Sequence, residues 1–268
     1  MVHIKDMDVF AEWKKQKRDR MVKYNQNWLC LIVGGTGSSK SWDALSLADE
    51  ISPHGFDMKH MCFRPRDIIR VINHGKLKPG NIVIADELGV SMSSRDWYQI
   101  QNKFLSYLFQ TFREMNVGLI ATVPAIKFID SSMRILFHNR IETIQIHRRS
   151  NLAEVKVYDL EYNNFMDRMF TKTPVFIDEF GNKVSMPKIF IPKPRDELIE
   201  EYEKASKKYK KELRMEVEKQ LSLNDSSKQL IASCPACGNS SYRYTKSKNL
   251  WTCRTCGEEF NKNPFKRT

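Results

Sequence analysis

The sequence predicts an α/β fold with a mostly parallel central sheet and helices on both faces, and three observations carry that prediction. Short continuous apolar runs at Leu29–Val33, Asn81–Ala85 and Val117–Ala121 read as strands buried on both faces. Segments with apolar residues at helical spacing lie between them, as right-handed parallel crossovers require. Polar, chemistry-bearing residues follow these runs directly, at the sheet edge where such folds gather their reactive groups.

The chain is organised around residues 28–50. Leu29–Val33 leads at once into Gly34-Gly35-Thr36-Gly37-Ser38-Ser39-Lys40-Ser41, after which Trp42, Leu45, Leu47, Ala48 and Ile51 recur at helical spacing. Strand, glycine-rich loop and helix in this order form the setting of a phosphate-binding loop. The glycines let the backbone wrap a phosphate, the amides at the helix start face it, and the helix dipole favours its charge. Lys40 is expected to reach the β- and γ-phosphates of ATP, and the Ser41 hydroxyl to bind Mg²⁺. The motif G-x-x-x-x-G-K-[ST] has glycine before its lysine, where this chain has Ser39. A residue that starts a helix needs no positive φ, so serine is expected to fit there with its side chain turned from the phosphates. The plain alternative is a glycine-rich turn that happens to precede Lys-Ser.

Beyond this helix, Ser52-Pro53-His54-Gly55 breaks the pattern and Lys59–Phe63 reads as a second strand. Pro65 opens a helix through Ile68, Ile69 and Val71 that stops near His74-Gly75. After the Lys78-Pro79-Gly80 turn, the third strand ends in Asp86-Glu87. An apolar strand ending in Asp-Glu, one βα unit after Lys40, matches the Walker B pattern of P-loop ATPases. Asp86 would hold Mg²⁺, directly or through water, and Glu87 would polarise the water that attacks the γ-phosphate.

Residues 96–116 form a long amphipathic helix, with Trp97, Ile100, Phe104, Leu108 and Phe112 on its apolar stripe. The fourth strand follows and ends in Thr122, before Pro124. Residues 140–162 alternate apolar and polar around Arg149-Ser150-Asn151, a hairpin with one face exposed. Another short strand pair flanks the Asp178–Asn182 turn. Pro187–Pro194 reads as a linker, and residues 195–222, with balanced charge, as a solvated spacer or coiled-coil-like arm. At the other end, residues 5–24 make a basic helix (Lys14, Lys15, Lys17, Arg18, Arg20, Lys23) that would lie on nucleic acid, pack on a neighbouring subunit or simply face solvent.

The 268 residues carry 44 Lys and Arg against 32 Asp and Glu, a net charge of +12. That balance points to a polyanionic partner such as DNA or an anionic membrane surface, or to a plain lysine-rich surface. No apolar run approaches the ~18–20 residues of a membrane span, and the N-terminus lacks the apolar stretch of a signal peptide. A cytoplasmic protein is expected.

Cys30 and Cys62 lie in apolar runs and read as core. The other four form Cys234-Pro-Ala-Cys237-Gly238 and Cys253-Arg-Thr-Cys256-Gly257, with the fifteen residues 238–252 between the pairs. C-x₂-C-x₁₅-C-x₂-C is the spacing of a four-thiolate Zn²⁺ site. Tyr242, Tyr244, Leu250 and Trp251 would supply the strands of a zinc ribbon, and the ribbon would bind nucleic acid or dock a protein. A disulfide-stapled tail suits an intracellular chain poorly. The organisation expected is a basic helix at 1–27, a P-loop ATPase domain at 28–194, a charged helical linker at 195–230 and a zinc ribbon at 231–268.

The ordered set GGTGSSKS, IVIADE and LFQTFREMNVGLIATVP resembles the HerA–FtsK group of P-loop ATPases over roughly residues 28–195. It looks most like small versions carried by archaeal viruses and plasmids, and it is also similar to DNA-packaging ATPases. The resemblance implies a P-loop NTPase core that hydrolyses ATP and pumps DNA as a ring-shaped, usually hexameric, homo-oligomer. In a virus it would act in the host cytoplasm with capsid or other mobile-element proteins as partners. It also implies that Arg113 reaches a neighbouring subunit's nucleotide, with Arg95 and Arg134 in reserve, and that Thr122 is the polar sensor after the fourth strand. The group often has glutamine next in the pattern, whereas this chain has Val123. Two other classes fit the residues: a nucleotide-gated DNA-binding protein that uses its ribbon without transport, and a secretion or extrusion ATPase of the Zot type. A small-molecule phosphotransferase fits less well, since Asp-Glu at the strand end favours water as acceptor.

Overall fold

Every residue of Trp28–Ile32 is buried, because strand β1 (Trp28–Val33) lies inside an eight-stranded sheet and is covered on both faces. The structure is a computed structural model. It describes residues 4–87, 111–129, 131–177, 182–186, 188–228, 234, 236–239, 241–245 and 250–260. Two compact units divide the chain, Met1–Ser206 and Lys207–Thr268.

In the first unit, helix α1 (Ile4–Val22) precedes β1, and α2 (Lys40–Ile51) follows it. Next come β2 (Met61–Cys62), α3 (Pro65–His74), β3 (Ile82–Ala85) and β4 (Gly118–Val123). The hairpin β5 (Asn139–His147) and β6 (Leu152–Asn163) leads to β7 (Arg168–Lys172), the separate pair β8 (Val175–Ile177) and β9 (Lys183–Ser185), and β10 (Ile189–Pro192). Helix α4 (Asp196–Lys228) then runs through the boundary between the units. The sheet order is β10-β6-β5-β1-β4-β3-β2, with β7 also paired to β6. Strands β2, β3, β4, β1 and β5 are mutually parallel, and β6 runs against its neighbours. The expected α/β class with a mostly parallel sheet is therefore present. Strand β1 is the point where the strand order reverses: the chain reaches β2, β3 and β4 on one side and then crosses to β5 on the other. A crevice outside the strand ends at such a switch point is where open α/β sheets place ligands.

Side-chain alternation sorts the core into two layers. Trp28, Cys30, Ile32, Ile82, Ile84 and Ile120 pack on the face that carries α1, α2 and the start of α4. Leu29, Leu31, Val83, Ala85, Leu119 and Ala121 pack on the face that carries α3 and Phe112. Both single cysteines are buried in these layers, as their apolar surroundings suggest.

Four expectations change in detail. The second strand is shorter than Lys59–Phe63, because Asp57 caps a 3₁₀ turn at Met58–His60 and only Met61 and Cys62 pair with β3. Residues 187–194 are no linker: Ile189–Pro192 is strand β10, its Ile189 and Ile191 are fully buried, and its prolines lie at its end and beyond, where the ladder needs no donor. The basic N-terminal helix does not simply face solvent but adds one side to the core. Phe10, Trp13 and Met21 are buried, Lys14 pairs with Glu50, and Arg18 donates to the carbonyls of Glu50 and Ile51 at the α2 C-terminus. The start of α4 is likewise not solvated, since Leu198, Ile199 and Tyr202 are buried and Arg195 forms a bidentate pair with Asp49 of α2. Of the helix expected at 96–116, residues 111–115 are helical and 96–110 lie outside the described residues, as do Arg95 and residues 178–181 of the second turn.

Trp13 is fully buried and meets Trp28 edge to face, with ring centroids 5.8 Å apart. Trp13→Ala is expected to cost about 3–5 kcal/mol of stability, read as a lower urea midpoint. An unchanged midpoint would mean that α1 is not part of the folded unit.

Candidate functional site: the phosphate loop, its carboxylate and a four-cysteine cluster

The loop Gly34–Ser39 joins the end of β1 to the start of α2. Gly35, Thr36 and Gly37 form its exposed crest. Gly34 has no room for a side chain: a Cβ there would lie 1.8 Å from Thr143 Oγ1, which donates to Ser38 Oγ at 2.8 Å. Thr143, on β5, thus braces the loop from the side. Lys40 is the first helical residue, and its Nζ donates to the Gly35 carbonyl at 2.7 Å, so the ammonium is folded back over the loop. Partial burial lowers its pKa, while Asp86 and Glu87 pull the other way.

Ser39 corrects one expectation. It adopts φ +69°, ψ 0°, the left-handed conformation for which the motif's glycine carries no steric penalty. Serine accepts a cost of about 1–2 kcal/mol there. Its hydroxyl lies within hydrogen-bond reach of both the Ser38 carbonyl and Asp43 Oδ2, the latter at 3.0 Å.

Asp86 follows β3 and is buried, on the face that carries α2 and α4. Its carboxylate accepts three hydroxyl hydrogen bonds: from Ser41 Oγ (2.8 Å) and Thr122 Oγ1 (2.7 Å) to Oδ1, and from Tyr202 OH (2.8 Å) to Oδ2. Thr122 lies between β1 and β3 because β4 does, which is why one residue reaches both acidic positions. While donating to Asp86, its oxygen accepts from the Glu87 amide at 2.9 Å. Glu87 itself has φ +51° and is half-buried. Lys40, Ser41, Asp86, Glu87 and Thr122 are thus brought together, whereas Arg113 is not. Arg113 is exposed near the end of the helix before β4. That helix enters the sheet beside Trp28, at the opposite end of β1 from the loop, and six residues of strand span roughly 16–20 Å. Among the described residues Arg134 donates to the Ile129 carbonyl, which ties it to its own turn.

The hydroxyl and carboxylate oxygens of Ser41 and Asp86, one hydrogen bond apart, are hard donors of the kind Mg²⁺ selects. Lys40 with the loop amides suits a phosphate chain. Sequence reasoning missed three residues here. Thr143 and Tyr202 are distant in the chain, on β5 and α4. Asp43 was legible as the acid in the first turn of α2. It is 2% exposed, and desolvation raises its pKa to about 7, outweighing the Ser39 hydrogen bond and the Lys40 charge.

In the second unit, β11 (Tyr242–Thr245), β12 (Leu250–Cys253) and β13 (Glu259–Phe260) form a three-stranded antiparallel sheet. Cys234, Cys237, Cys253 and Cys256 converge so that all four sulfurs lie within 4.8 Å of one another. Sγ–Sγ separations of 3.6 Å (Cys234–Cys256) and 3.7 Å (Cys237–Cys253) exceed a disulfide. They match the ~3.8 Å between thiolates around a tetrahedral centre with Zn–S near 2.3 Å. The two pairs repeat one turn: Gly238 (φ +72°) donates to the Cys234 carbonyl, and Gly257 (φ +78°) to that of Cys253. Amides of Cys256 and Thr255 lower the Cys253 thiol to about 6, which favours a thiolate ligand.

No protein-family model matches the sequence, and no curated protein matches it. Solved structures with limited similarity include the N-terminal domain of zonular occludens toxin from Neisseria meningitidis, at 15% identity over 55% of this chain and 94% of that one, with a TM-score of 0.35. PCH-2 from C. elegans has 15% identity over 51% of this chain and 40% of that one, with a TM-score of 0.32. A KaiC-like protein from Pyrococcus horikoshii OT3 has 13% identity over 65% of this chain and 94% of that one, with a TM-score of 0.34. No helix among the described residues is long and apolar enough to cross a membrane.

Two predictions concern the acid and the thiolates. Because folding raises the Asp43 pKa, its neutral form is favoured in the folded chain, and stability is lost as pH rises from about 4 to about 7. Asp43→Asn should remove that part of the loss, at most about 4 kcal/mol, in thermal melts across this range; identical pH profiles would refute it. Elemental analysis should find one zinc per chain, and chelation should abolish the NMR dispersion of residues 234–260, since so small a module depends on its metal.

Proposed function

We propose that this chain is a Mg²⁺-dependent ATPase that acts on DNA. The observation that carries the nucleotide half is the 2.8 Å hydrogen bond from Ser41 Oγ to Asp86 Oδ1 beside a strand–loop–helix with Lys40 at its start. Loop geometry alone would suit many anions. A hydroxyl and a buried carboxylate presented together at its edge suit a phosphate chain that carries a divalent cation.

Within this reading, Lys40 exchanges the Gly35 carbonyl for phosphate oxygens, and the amides of Gly35–Ser41 line the phosphate chain. Ser41 and Asp86 hold Mg²⁺, which when bound neutralises charge on the phosphates. Thr122 fixes the backbone of Glu87, and the Glu87 carboxylate orients water toward the γ-phosphate. The four cysteines hold a structural Zn²⁺.

The DNA half of the proposal rests on the net charge of +12, on the ribbon, and on the resemblance to HerA–FtsK-type motors. That resemblance supports a ring of identical subunits, translocation or packaging of DNA, and Arg113 acting on a neighbour. The position of Arg113 at the far sheet edge, away from its own loop, leaves it for contacts outside its own site. A nucleotide-gated DNA-binding protein would use the same residues without the Glu87 step.

One set of assays separates these readings. Glu87→Gln should retain ATP binding while hydrolysis falls by roughly 10²–10⁴, and Lys40→Ala should weaken binding itself. DNA should stimulate the parent's turnover, and more weakly as salt rises. Hydrolysis by both variants at the parent's rate would refute the site, and binding without hydrolysis would leave the gated reading.

A further inference from the structure

Among the described residues, the Tyr202 hydroxyl is the one donor to Asp86 that the nucleotide-site reading does not use. It lies on α4, in a stretch rich in charged residues, yet the residue is 8% exposed. Its ring contacts Phe63, with centroids 6.2 Å apart, and the phenol reaches Asp86 Oδ2 at 2.8 Å. Ser206, one turn further along α4 and also buried, and Ser41 share hydrogen bonds with the same phenol. A tyrosine that served only to fill the core would not need its oxygen placed on a carboxylate.

The geometry points to Tyr202 as a positioning residue for the divalent cation, which acts through Asp86. This rests on the proposed nucleotide site. A carboxylate can rotate about its last bond, and its two oxygens are otherwise equivalent. Ser41 and Thr122 both engage Oδ1, so without a third donor Oδ2 would be buried and unpaired, a costly state for an anion. Tyr202 satisfies Oδ2 and keeps Oδ1 turned to Ser41, where hydroxyl and carboxylate can serve a cation together. A phenol is protonated at neutral pH and can remain a donor to Oδ2. Partners of this kind, which orient a metal's ligand without touching the metal, typically change metal affinity by about 10–100-fold.

The test uses the full chain, a fluorescent ADP analogue and two metals. Binding of the analogue is followed without metal and then across a Mg²⁺ titration, and bound Mn²⁺ is read by electron paramagnetic resonance. Tyr202→Phe keeps the ring and deletes the oxygen. It should bind metal-free analogue as the parent does but need about 10-fold more Mg²⁺, with a matching loss of Mn²⁺ affinity. Phe63→Leu, which trims the packing against Tyr202 but leaves the hydroxyl, should lower the melting temperature and leave the metal titrations unchanged. Equal metal requirements for the parent and Tyr202→Phe would overturn the assignment and leave the nucleotide site standing. If Phe63→Leu shifts the metal titration as far as Tyr202→Phe does, packing rather than the hydrogen bond is responsible and the assignment also fails. A parent that binds no analogue at any Mg²⁺ concentration would refute the nucleotide site itself, and this inference with it.

Discussion

A single buried carboxylate sets the requirements that the rest of the first unit meets. A buried carboxylate needs hydrogen-bond donors, and Asp86 receives them from Ser41 on α2, Thr122 on β4 and Tyr202 on α4. Hydrogen bonds to a charged group contribute roughly 1.5–3 kcal/mol each, which together approach the several kcal/mol needed to bury an ion. Each donor comes from a different element, so the hydrogen bonding of Asp86 depends on the helix–sheet packing being complete. In return the carboxylate ties α2 and α4 to the sheet just after the glycine-rich loop.

The two acids near the loop are handled in opposite ways. Among the described residues Asp86 has three hydroxyl donors; Asp43 has one side-chain donor, Ser39, and burial dominates, raising its pKa. A helix N-terminus favours a negative charge by about 0.3–1 kcal/mol, too little to offset desolvation at a residue so completely enclosed. The left-handed Ser39 belongs to the same arrangement: its backbone turns the chain into α2 while its hydroxyl sits between the Ser38 carbonyl and Asp43.

The second unit is built on a different principle. Its strands are short and its side chains mostly half-exposed, so area burial contributes little, and four sulfurs within 4.8 Å supply the organising contact. Two turns of the same form, each closed by a glycine amide on a cysteine carbonyl, hold the four cysteines. Local chain geometry explains this unit, whereas long-range packing explains the first.

What could be read directly from the sequence was local. The run from Trp28 to Ile51 shows its strand, loop and helix because period and turn chemistry act between near neighbours, and Asp86-Glu87 at a strand end and the paired cysteines are legible for the same reason. Where the sequence misled, a distant partner was responsible. Basic α1 and the charged start of α4 hide Phe10, Trp13, Leu198 and Tyr202, whose burial depends on which face of the sheet receives them. Residues 189–192 look like a proline-rich linker until β6 offers them an edge. Strand order was also beyond reach, because apolar runs of similar strength do not say which pairs with which. That order puts β4 between β1 and β3, and with it Thr122 between Ser41 and Glu87. The identities of the loop, the acids and the thiolates are thus properties of the sequence. Their arrangement around one carboxylate was decided only by tertiary structure, since a buried charge takes its donors from whatever elements the packing brings near.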